Sequence, residues 1–278
     1  MGDISKINAV ALSSIASANG VTKSSIDSII GVNIPSGTVS PAIYYDAKNA
    51  SSYSGSGTSW YDLGTGSYTM TLRNGPVFNS TPPKHFDFDG VNDYAYNNSS
   101  GPQIFGSSDG YSFEAWVRLD GLLSTSSTVP IYAIASKSPT SNTVPGWKWT
   151  YRSGSYNGML MRMGDGFGGL IDITPSSSSF LTAINDTSNF HQVIITIDES
   201  SSTCFMYADG TQYATTVSSY FSGAFGRSRN NNTNLSLARY GVSSSFEFKG
   251  DVSEFAVYDK ALSQAEVTAL YNAKSGNY

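Results

Sequence analysis

The segment Phe113-Glu-Ala-Trp-Val-Arg-Leu119 decides the fold class, because apolar and polar side chains alternate along it. Successive side chains of a β-strand point to opposite faces, so this alternation predicts a strand with one face in a core. The inward side chains would be Phe113, Ala115, Val117 and Leu119. The segment Phe86-Asp-Phe-Asp89 repeats the pattern, with both phenylalanines on one face.

Further segments of strand length follow downstream. His191–Asp198 and Thr203–Asp209 flank residues 199–202, a hairpin-like link, and Asp209-Gly210 is a two-residue turn signal. Short strands separated by turn residues are typical of two packed antiparallel sheets. We therefore expect residues 41–278 to form an all-β, two-sheet antiparallel β-sandwich.

One short helix is expected near the C-terminal end of the sequence. Ser263-Gln-Ala-Glu266 is a capping box, and Val267, Leu270 and Tyr271 follow it at helical spacing. These three side chains share one apolar stripe, and the link from the preceding strand is short. The helix is therefore predicted to dock beside that strand and to cover a face or an edge of its sheet.

Composition excludes several classes of function. The chain has 278 residues, and its net charge of −5 argues against the clustered cationic surface that nucleic-acid binding needs. One cysteine excludes an internal disulfide and a cysteine-based zinc site, and two histidines exclude a multi-histidine metal centre. The longest aliphatic run, Val193–Ile197, is far shorter than the ~18 residues that span a bilayer, so we expect no membrane insertion.

Residues 1–40 differ from the rest of the chain and are predicted to form a separate helical-repeat anchor with a linker. They contain no aromatic residue, and the segments Ile4–Val10, Ile15–Val21 and Ile26–Val32 recur at a spacing of 11 residues. Each copy is typical of one short helical turn that ends at Asn-Gly or Gly. Such units bury too little apolar surface to be stable alone, so they would dock on their own globular domain, a sister chain or a larger assembly. A linker with accidental periodicity is the alternative.

Blocks within residues 42–275 resemble, in order and spacing, a concanavalin A-like lectin/glucanase domain of the laminin G-like type. These blocks are Tyr44–Asn49, Tyr53–Leu63, Leu72–Pro76, Phe86–Tyr94, Ser112–Val117 and Phe248–Ala273. The resemblance implies a jelly-roll sandwich, but this fold hosts lectins, enzymes and structural modules alike. The version that these residues most resemble is common in virion proteins of tailed phages. It implies a virion component that is assembled in the host cytoplasm.

Glucanases of the family that the chain resembles carry catalytic carboxylates on one strand, in the pattern Glu-x-Asp-x-Glu or one residue longer. The chain lacks this pattern, and its closest two glutamates, Glu247 and Glu254, would face opposite sides of a strand. Asp87 and Asp89 share a strand face and are a weak acid–base candidate, for which an exposed face is the simpler interpretation. We therefore expect no catalytic residues and no enzyme.

Aromatic residues are the candidates for sugar binding, because sugar rings stack on aromatic faces. Trp60 and Tyr61 follow a loop of Ser and Gly, which favours exposure. Trp147, Trp149 and Tyr151 share one face of a predicted strand. That face is either a binding surface or, as the simpler interpretation, part of the core.

Calcium is the one cofactor that the resemblance implies, since laminin G-like domains often hold one Ca²⁺ through carboxylates and carbonyls. Asp89 and Asp251 lie in the family-like blocks and are the candidate ligands. The chain has no dense Asp-rich calcium loop, so we predict at most one structural calcium ion.

Together these features predict a non-enzymatic phage virion structural protein, either a capsid decoration, a head fibre or a tail-associated module. Residues 1–40 would anchor it to other virion proteins, and the sandwich would stabilise the particle or adhere to host-surface glycans. A free carbohydrate-binding lectin is the main alternative, and a glycan hydrolase is disfavoured by the missing carboxylate pair. Truncation separates the first two, because only the virion component needs residues 1–40.

Overall fold

The computed structural model describes residues 17–18, 21–22, 39–97, 110–123, 131–138, 145–164, 169–219, 233–241 and 246–278. The chain divides into two compact units, Met1–Val39 and Ser40–Tyr278. Within the described residues, no helix has both the length and the apolar character needed to cross a membrane.

In the first unit, strands β1 (Ser17–Ala18) and β2 (Val21–Thr22) form an antiparallel pair. They lie in the second copy of the 11-residue repeat, where the sequence predicts a helical turn. The two residues between them in the sequence, Asn19-Gly20, are the strongest short hairpin signal, which explains the difference. The other two copies of the repeat lie outside the described residues.

The second unit is an antiparallel β-sandwich. The first sheet contains, in spatial order, β6 (Val77–Asn79), β7 (His85–Asp89), β18 (Lys249–Tyr258), β9 (Tyr111–Leu119), β14 (His191–Asp198) and β15 (Thr203–Ala208). The second sheet contains, in spatial order, β4 (Ser59–Trp60), β5 (Met70–Arg73), β8 (Tyr94–Asn97), β17 (Ser236–Leu237), β10 (Ile131–Lys137), β11 (Gly146–Arg152), β12 (Gly158–Gly164) and β13 (Leu170–Pro175). The predicted all-β architecture is confirmed.

Two further strands complete the sheets. β3 (Ile43–Asp46) pairs with the second half of β18. β16 (Thr211–Ser219) joins the two sheets, because residues 211–214 pair with β15 of the first sheet and residues 215–219 pair with β13 of the second. A strand that changes sheet in this way is a corner of the sandwich.

The inner face of the second sheet shows why the core lies between the sheets. One continuous row of cross-strand partners runs across eight strands and is apolar throughout: Leu72, Ala95, Leu237, Ala135, Trp149, Met161, Ile173 and Val217. From the first sheet, inward side chains such as Phe113 and Val117 pack into the same cluster. Because successive side chains of a strand point to opposite faces, the residues before and after each member of this row lie on the opposite side of the sheet.

The helices are few and short in the described part of the chain. An α-helix spans Ser179–Ile184, and 3₁₀ turns span Gly154–Tyr156 and Ser275–Asn277. The predicted C-terminal helix is present at Gln264–Lys274, and its capping box is formed, since the Ser263 side chain accepts a hydrogen bond from the Glu266 backbone N–H.

The C-terminal helix covers the side of the first sheet that points away from the core, as expected. Val267 is buried, whereas Leu270 is only half-buried, so the predicted stripe is narrower than its spacing suggests. The ring of Tyr271 stacks 5.9 Å from that of Trp116, and the ring of Tyr278 stacks 3.9 Å from it. These aromatic contacts hold the C-terminal segment against β9.

Candidate functional site

The strand predicted to stack on sugars lies in the core. Trp147, Trp149 and Tyr151 are at most 1% exposed. Trp149 is a member of the apolar inner row, and the ring of Trp147 lies 4.7 Å from that of Phe113 in the opposite sheet. A ring without an exposed face cannot stack on a sugar, so the structure decides between the two interpretations in favour of the core.

The other two aromatic candidates, Trp60 and Tyr61, differ in their exposure. Trp60 is fully buried, with its ring 4.7 Å from that of Phe86 and 5.6 Å from that of Tyr45. Tyr61, the next residue, is 50% exposed. Trp60 is therefore a core residue despite the polar loop before it, because strand alternation sends it inward. Of the five aromatic candidates, Tyr61 alone remains on the surface.

Asp89 and Asp251, the candidate calcium ligands, have other partners. The Asp89 carboxylate accepts hydrogen bonds from the backbone N–H groups of Val91 and Asn92, at 2.8 and 3.2 Å, within a turn. The buried Asp251 carboxylate is bound by the Arg118 guanidinium at 2.6 Å. The described residues contain no group of three His, Cys, Asp or Glu side chains arranged to hold a metal. These two residues do not fit a calcium ion, because a guanidinium already occupies the cation position at Asp251.

The weak acid–base candidate is also engaged elsewhere. Asp87, on β7, lies directly opposite Asp251 on the neighbouring strand β18. Burial, together with the negative charge of Asp251, raises the pKa of Asp87. Nε2 of His85 lies 3.3 Å from the carboxylate of Asp251, which is also bound by Arg118. Asp87 thus lies among the charges of Asp251, His85 and Arg118 and is not one of an isolated acid and base pair.

The outer face of the second sheet carries the polar counterpart of the apolar inner row. Its central row of cross-strand partners is polar or aromatic across eight strands: Thr71, Tyr96, Ser236, Ser136, Lys148, Arg162, Asp172 and Ser218. We call this surface the outer face. Ser136, Lys148 and Asp172 are buried within it, and no helix of the described residues covers it in the way that Gln264–Lys274 covers the first sheet.

Cations on the outer face lie over aromatic rings. The guanidinium carbon of Arg73 is 5.2 Å from the Tyr96 ring centroid, and that of Arg239 is 4.4 Å from the Tyr94 ring centroid. Two further pairs, Lys148 with Tyr240 and Arg152 with Tyr156, are both at 4.0 Å. The attraction of a cation–π contact offsets part of the conformational entropy lost when a long side chain is ordered. The face therefore presents ordered rings and ordered donors together.

Two depressions on the outer face are separated by a narrow ridge. One, of about 410 Å³, is lined in part by Tyr94, Tyr96 and Arg239. The other, of about 180 Å³, is lined in part by Arg152 and Tyr240. Because Arg239 and Tyr240 are consecutive, the same short segment forms a wall of each depression. A chain-like ligand lying across the strands would contact both.

Among the described residues, those named on the outer face include more cations than acids, although the net charge of the chain is negative. Five of its 16 Lys and Arg residues have been placed there: Arg73, Lys148, Arg152, Arg162 and Arg239. Asp172 is opposed by Arg162, whose Nε and Nη2 donate to it at 2.6 and 2.7 Å. These hydrogen bonds raise the pKa of Arg162. The described residues named on this face thus include more cationic than acidic side chains, a balance that favours anionic ligands.

A second aromatic groove is less suited to binding. It has a volume of about 330 Å³ and lies between the C-terminal segment and the first sheet. The Trp116 and Tyr278 rings that line it are stacked on one another, and His191 is held between Asp186 at 2.9 Å and Asp209 at 2.7 Å. Its rings and its charges thus already have partners within the fold.

The sequence reasoning missed the outer face because its residues are scattered along the chain. A signal was present on one strand, since Lys148, Thr150 and Arg152 alternate with the aromatic residues that were chosen as candidates. If the aromatic face of β11 is the inner one, its polar side chains must lie on the outer side of the sheet, where Lys148 and Thr150 are nonetheless at most 4% exposed. The contributions of Tyr94 and Arg239 depend on strand order and are not readable from local patterns.

Comparisons with known proteins agree with the fold. The chain is similar to the binding domain of Paraclostridial Mosquitocidal Protein 1, with a TM-score of 0.60 and 18% identity, covering 84% of this chain and 52% of that one. It is also similar to the botulinum neurotoxin serotype D binding domain (TM-score 0.58, 14% identity, covering 84% and 52%) and to the botulinum neurotoxin type G receptor binding domain (TM-score 0.55, 14% identity, covering 84% and 51%). The chain thus spans about half the length of these solved chains, and the likeness is one of fold.

A comparison with curated proteins gives no match. The family model described as the concanavalin A-like lectin/glucanases superfamily matches residues 88–268. This match covers more than half of the chain, includes strands of both sheets, and agrees with the observed sandwich. The chain belongs to the concanavalin A-like lectin/glucanases superfamily.

Proposed function

We propose that the protein is a non-enzymatic virion protein of a tailed phage whose sandwich binds glycans of the host surface through the outer face. The observation that carries the binding role is the set of cation–aromatic pairs on that face, where ordered rings and hydrogen-bond donors lie side by side. Rings stack on the apolar faces of sugars and donors bind hydroxyl groups. Two neighbouring depressions suit a chain of sugar residues.

Binding is favoured over hydrolysis by the carboxylates near the outer face. Retaining glycosidases need two carboxyl groups about 5–5.5 Å apart, one of them free to donate a proton. Asp172 is bound by Arg162 and is the one acidic residue of the central polar row. Glu114 and Glu254 lie on the other sheet beneath the C-terminal helix, where Lys274 pairs with both. None of these acids is placed to act on a ligand of the outer face.

The structural neighbours also support a binding role. Both botulinum proteins compared above are binding domains, and another similar structure is a botulinum neurotoxin DC binding domain in complex with rat synaptotagmin II. The likeness to these binding domains is one of fold, and it reaches this chain only as part of the proposal.

Removal of the outer-face tyrosines tests the binding site. We expect the parent chain to bind members of an array of bacterial surface glycans, and a Tyr94→Ala/Tyr96→Ala variant to bind them about 10-fold more weakly, at ~0.5–1.5 kcal/mol per lost aromatic contact. Tyr61→Ala is the matched control, because Tyr61 is exposed and is not among the described residues that line either depression. Binding that survives the double substitution and is lost in the control would place the site in the Tyr61 loop instead.

The virion role rests on the sequence of residues 1–40 and is tested by truncation. A chain that lacks residues 1–35 is expected to keep the sandwich and its glycan binding but to be absent from purified particles. The physical reason is that the second unit has its own core, so its folding does not require the repeat. Immunogold labelling of particles made with either chain gives the measurement. Normal incorporation of the truncated chain would contradict an anchor, and absence of the full chain from particles would favour a free lectin.

A further inference from the structure

The smaller depression of the outer face has a composition that selects among sugars. Strands β11 and β12 supply its floor, with Lys148 and Arg152 from the first and Leu160 and Arg162 from the second. Phe246, which is 42% exposed, forms part of its rim. None of the described residues that line it is acidic. Cationic and apolar groups are thus combined in one small concave space.

Arg152, one of three cations in this depression, has no acidic partner among the described residues. Its Nε atom is buried and has no hydrogen-bond partner, and its guanidinium carbon lies over the Tyr156 ring. Arg162, by contrast, is bound by Asp172 through two hydrogen bonds. A buried N–H without an acceptor is unfavourable, and no described carboxylate neutralises this guanidinium, so an anionic ligand would supply the missing counter-charge.

The geometry of the arginine side chain indicates which chemical group of a ligand would pair with it. The planar guanidinium presents parallel N–H groups that match the two oxygens of a carboxylate. The apolar side chains of Leu160 and Phe246 offer a surface for the C–H face of a sugar ring. At about 180 Å³ the depression is smaller than a typical site for a whole ligand, which runs from ~300 to 1,000 Å³. It therefore suits one residue of a longer chain.

We propose that this depression binds an acidic sugar residue, with Arg152 pairing with the sugar carboxylate and Leu160 and Phe246 contacting its ring. The proposal rests on the glycan binding proposed above and adds its specificity. The rest of the glycan would extend over the ridge at Arg239 and Tyr240 into the larger depression. Uronic acids and sialic acids both carry this chemistry, and the experiment separates them.

The test uses the full chain and pairs of oligosaccharides that differ only at the acidic group. One pair is a glucuronate-containing oligosaccharide and the same molecule after reduction of its carboxyl groups; the other is sialyllactose and lactose. We expect titration calorimetry to show at least 10-fold tighter binding of the acidic member of one pair. Arg152→Gln should abolish this preference, so that the acidic and neutral members of the pair bind with equal affinity.

Two control variants make the result specific. Lys249→Gln removes an exposed positive charge from the other sheet and should keep the full preference, which excludes an effect of net charge. Arg152→Lys keeps the charge without the paired N–H groups and should keep only part of the preference. Thermal unfolding of every variant checks that the sandwich is intact.

The outcomes separate the inference from the proposed function. Equal binding of acidic and reduced glycans, or a preference that Arg152→Gln leaves in place, would overturn the acidic-sugar inference while glycan binding itself stands. Failure of the parent chain to bind any acidic or neutral glycan would overturn both. A preference for only the glucuronate pair or only the sialyl pair identifies which acid the depression accepts.

Discussion

Replacing Lys274 with alanine is expected to destabilise the protein by about 3–5 kcal/mol, the usual cost of removing one partner of a buried ion pair. The Lys274 ammonium lies 2.9 Å from the Glu114 carboxylate and 2.8 Å from that of Glu254. Both carboxylates are at most 2% exposed, so the variant leaves two buried negative charges without this shared cation. Chemical denaturation of both proteins at neutral pH measures the difference.

Lys260→Ala is the matched control for Lys274. Lys260 forms an ion pair with Glu266 at 2.7 Å, but its side chain is 44% exposed. Exposed pairs contribute about 0–1 kcal/mol, so this variant should unfold at nearly the same denaturant concentration as the parent. Equal effects of the two substitutions would show that the C-terminal helix is not held by the buried pair.

The same cluster of Lys274, Glu114 and Glu254 predicts how the stability of the protein depends on pH in acid. Burial opposes the ionisation of Glu254, but the ammonium groups of Lys274 and Lys48 outweigh it and lower the pKa of Glu254 from 4.5 to about 2. A carboxyl group whose pKa is lowered in the folded state stabilises the fold above its unfolded pKa, and that contribution disappears as the pH falls through the folded pKa. The stability difference between the parent and Glu254→Gln should therefore shrink from pH 4.5 towards pH 2.

Replacing Trp149 with alanine is the second change with a large expected effect, at about 3–5 kcal/mol. The side chain is fully buried, and its indole Nε1–H donates to the Met159 sulfur at 2.9 Å. The variant leaves a cavity in the middle of the apolar inner row. Tyr61→Ala, at a half-exposed position, should change stability by no more than about 0.5 kcal/mol.

If the alanine variant does not fold, Trp149→Phe still allows a test of whether Trp149 contributes to glycan binding. Phenylalanine retains most of the buried volume, so this variant should fold with a smaller loss of stability. Because the account places Trp149 in the core, Trp149→Phe should bind glycans as the parent does. Normal stability with lost glycan binding would instead make the aromatic face of β11 a binding surface.

The sequence was most informative where a local pattern has one structural meaning. Alternation along Phe113–Leu119 predicted a strand correctly because the period of two depends only on backbone geometry. The capping box at Ser263 predicted the start of the C-terminal helix because its hydrogen bonds are local. The same local reasoning explains the failure at the second copy of the N-terminal repeat, where Asn19-Gly20 has both a helix-stop and a hairpin meaning.

The candidate site was less predictable because strand order creates it. On β11, alternation shows that Trp149 and Lys148 face opposite sides but does not show which side is buried. That depends on the opposite sheet, whose Phe113 packs against the aromatic side. Tyr94 and Arg239 meet although 145 residues separate them, because β8 and β17 are neighbours in the sheet.

Hydrogen–deuterium exchange of the full chain, with and without a bound glycan from the array, tests the central claim most directly. The account predicts that the glycan slows amide exchange in β8, β11 and β12, which together carry the two depressions of the outer face. Slowed exchange confined to the first sheet or to the loop at Tyr61, with these three strands unchanged, would contradict it.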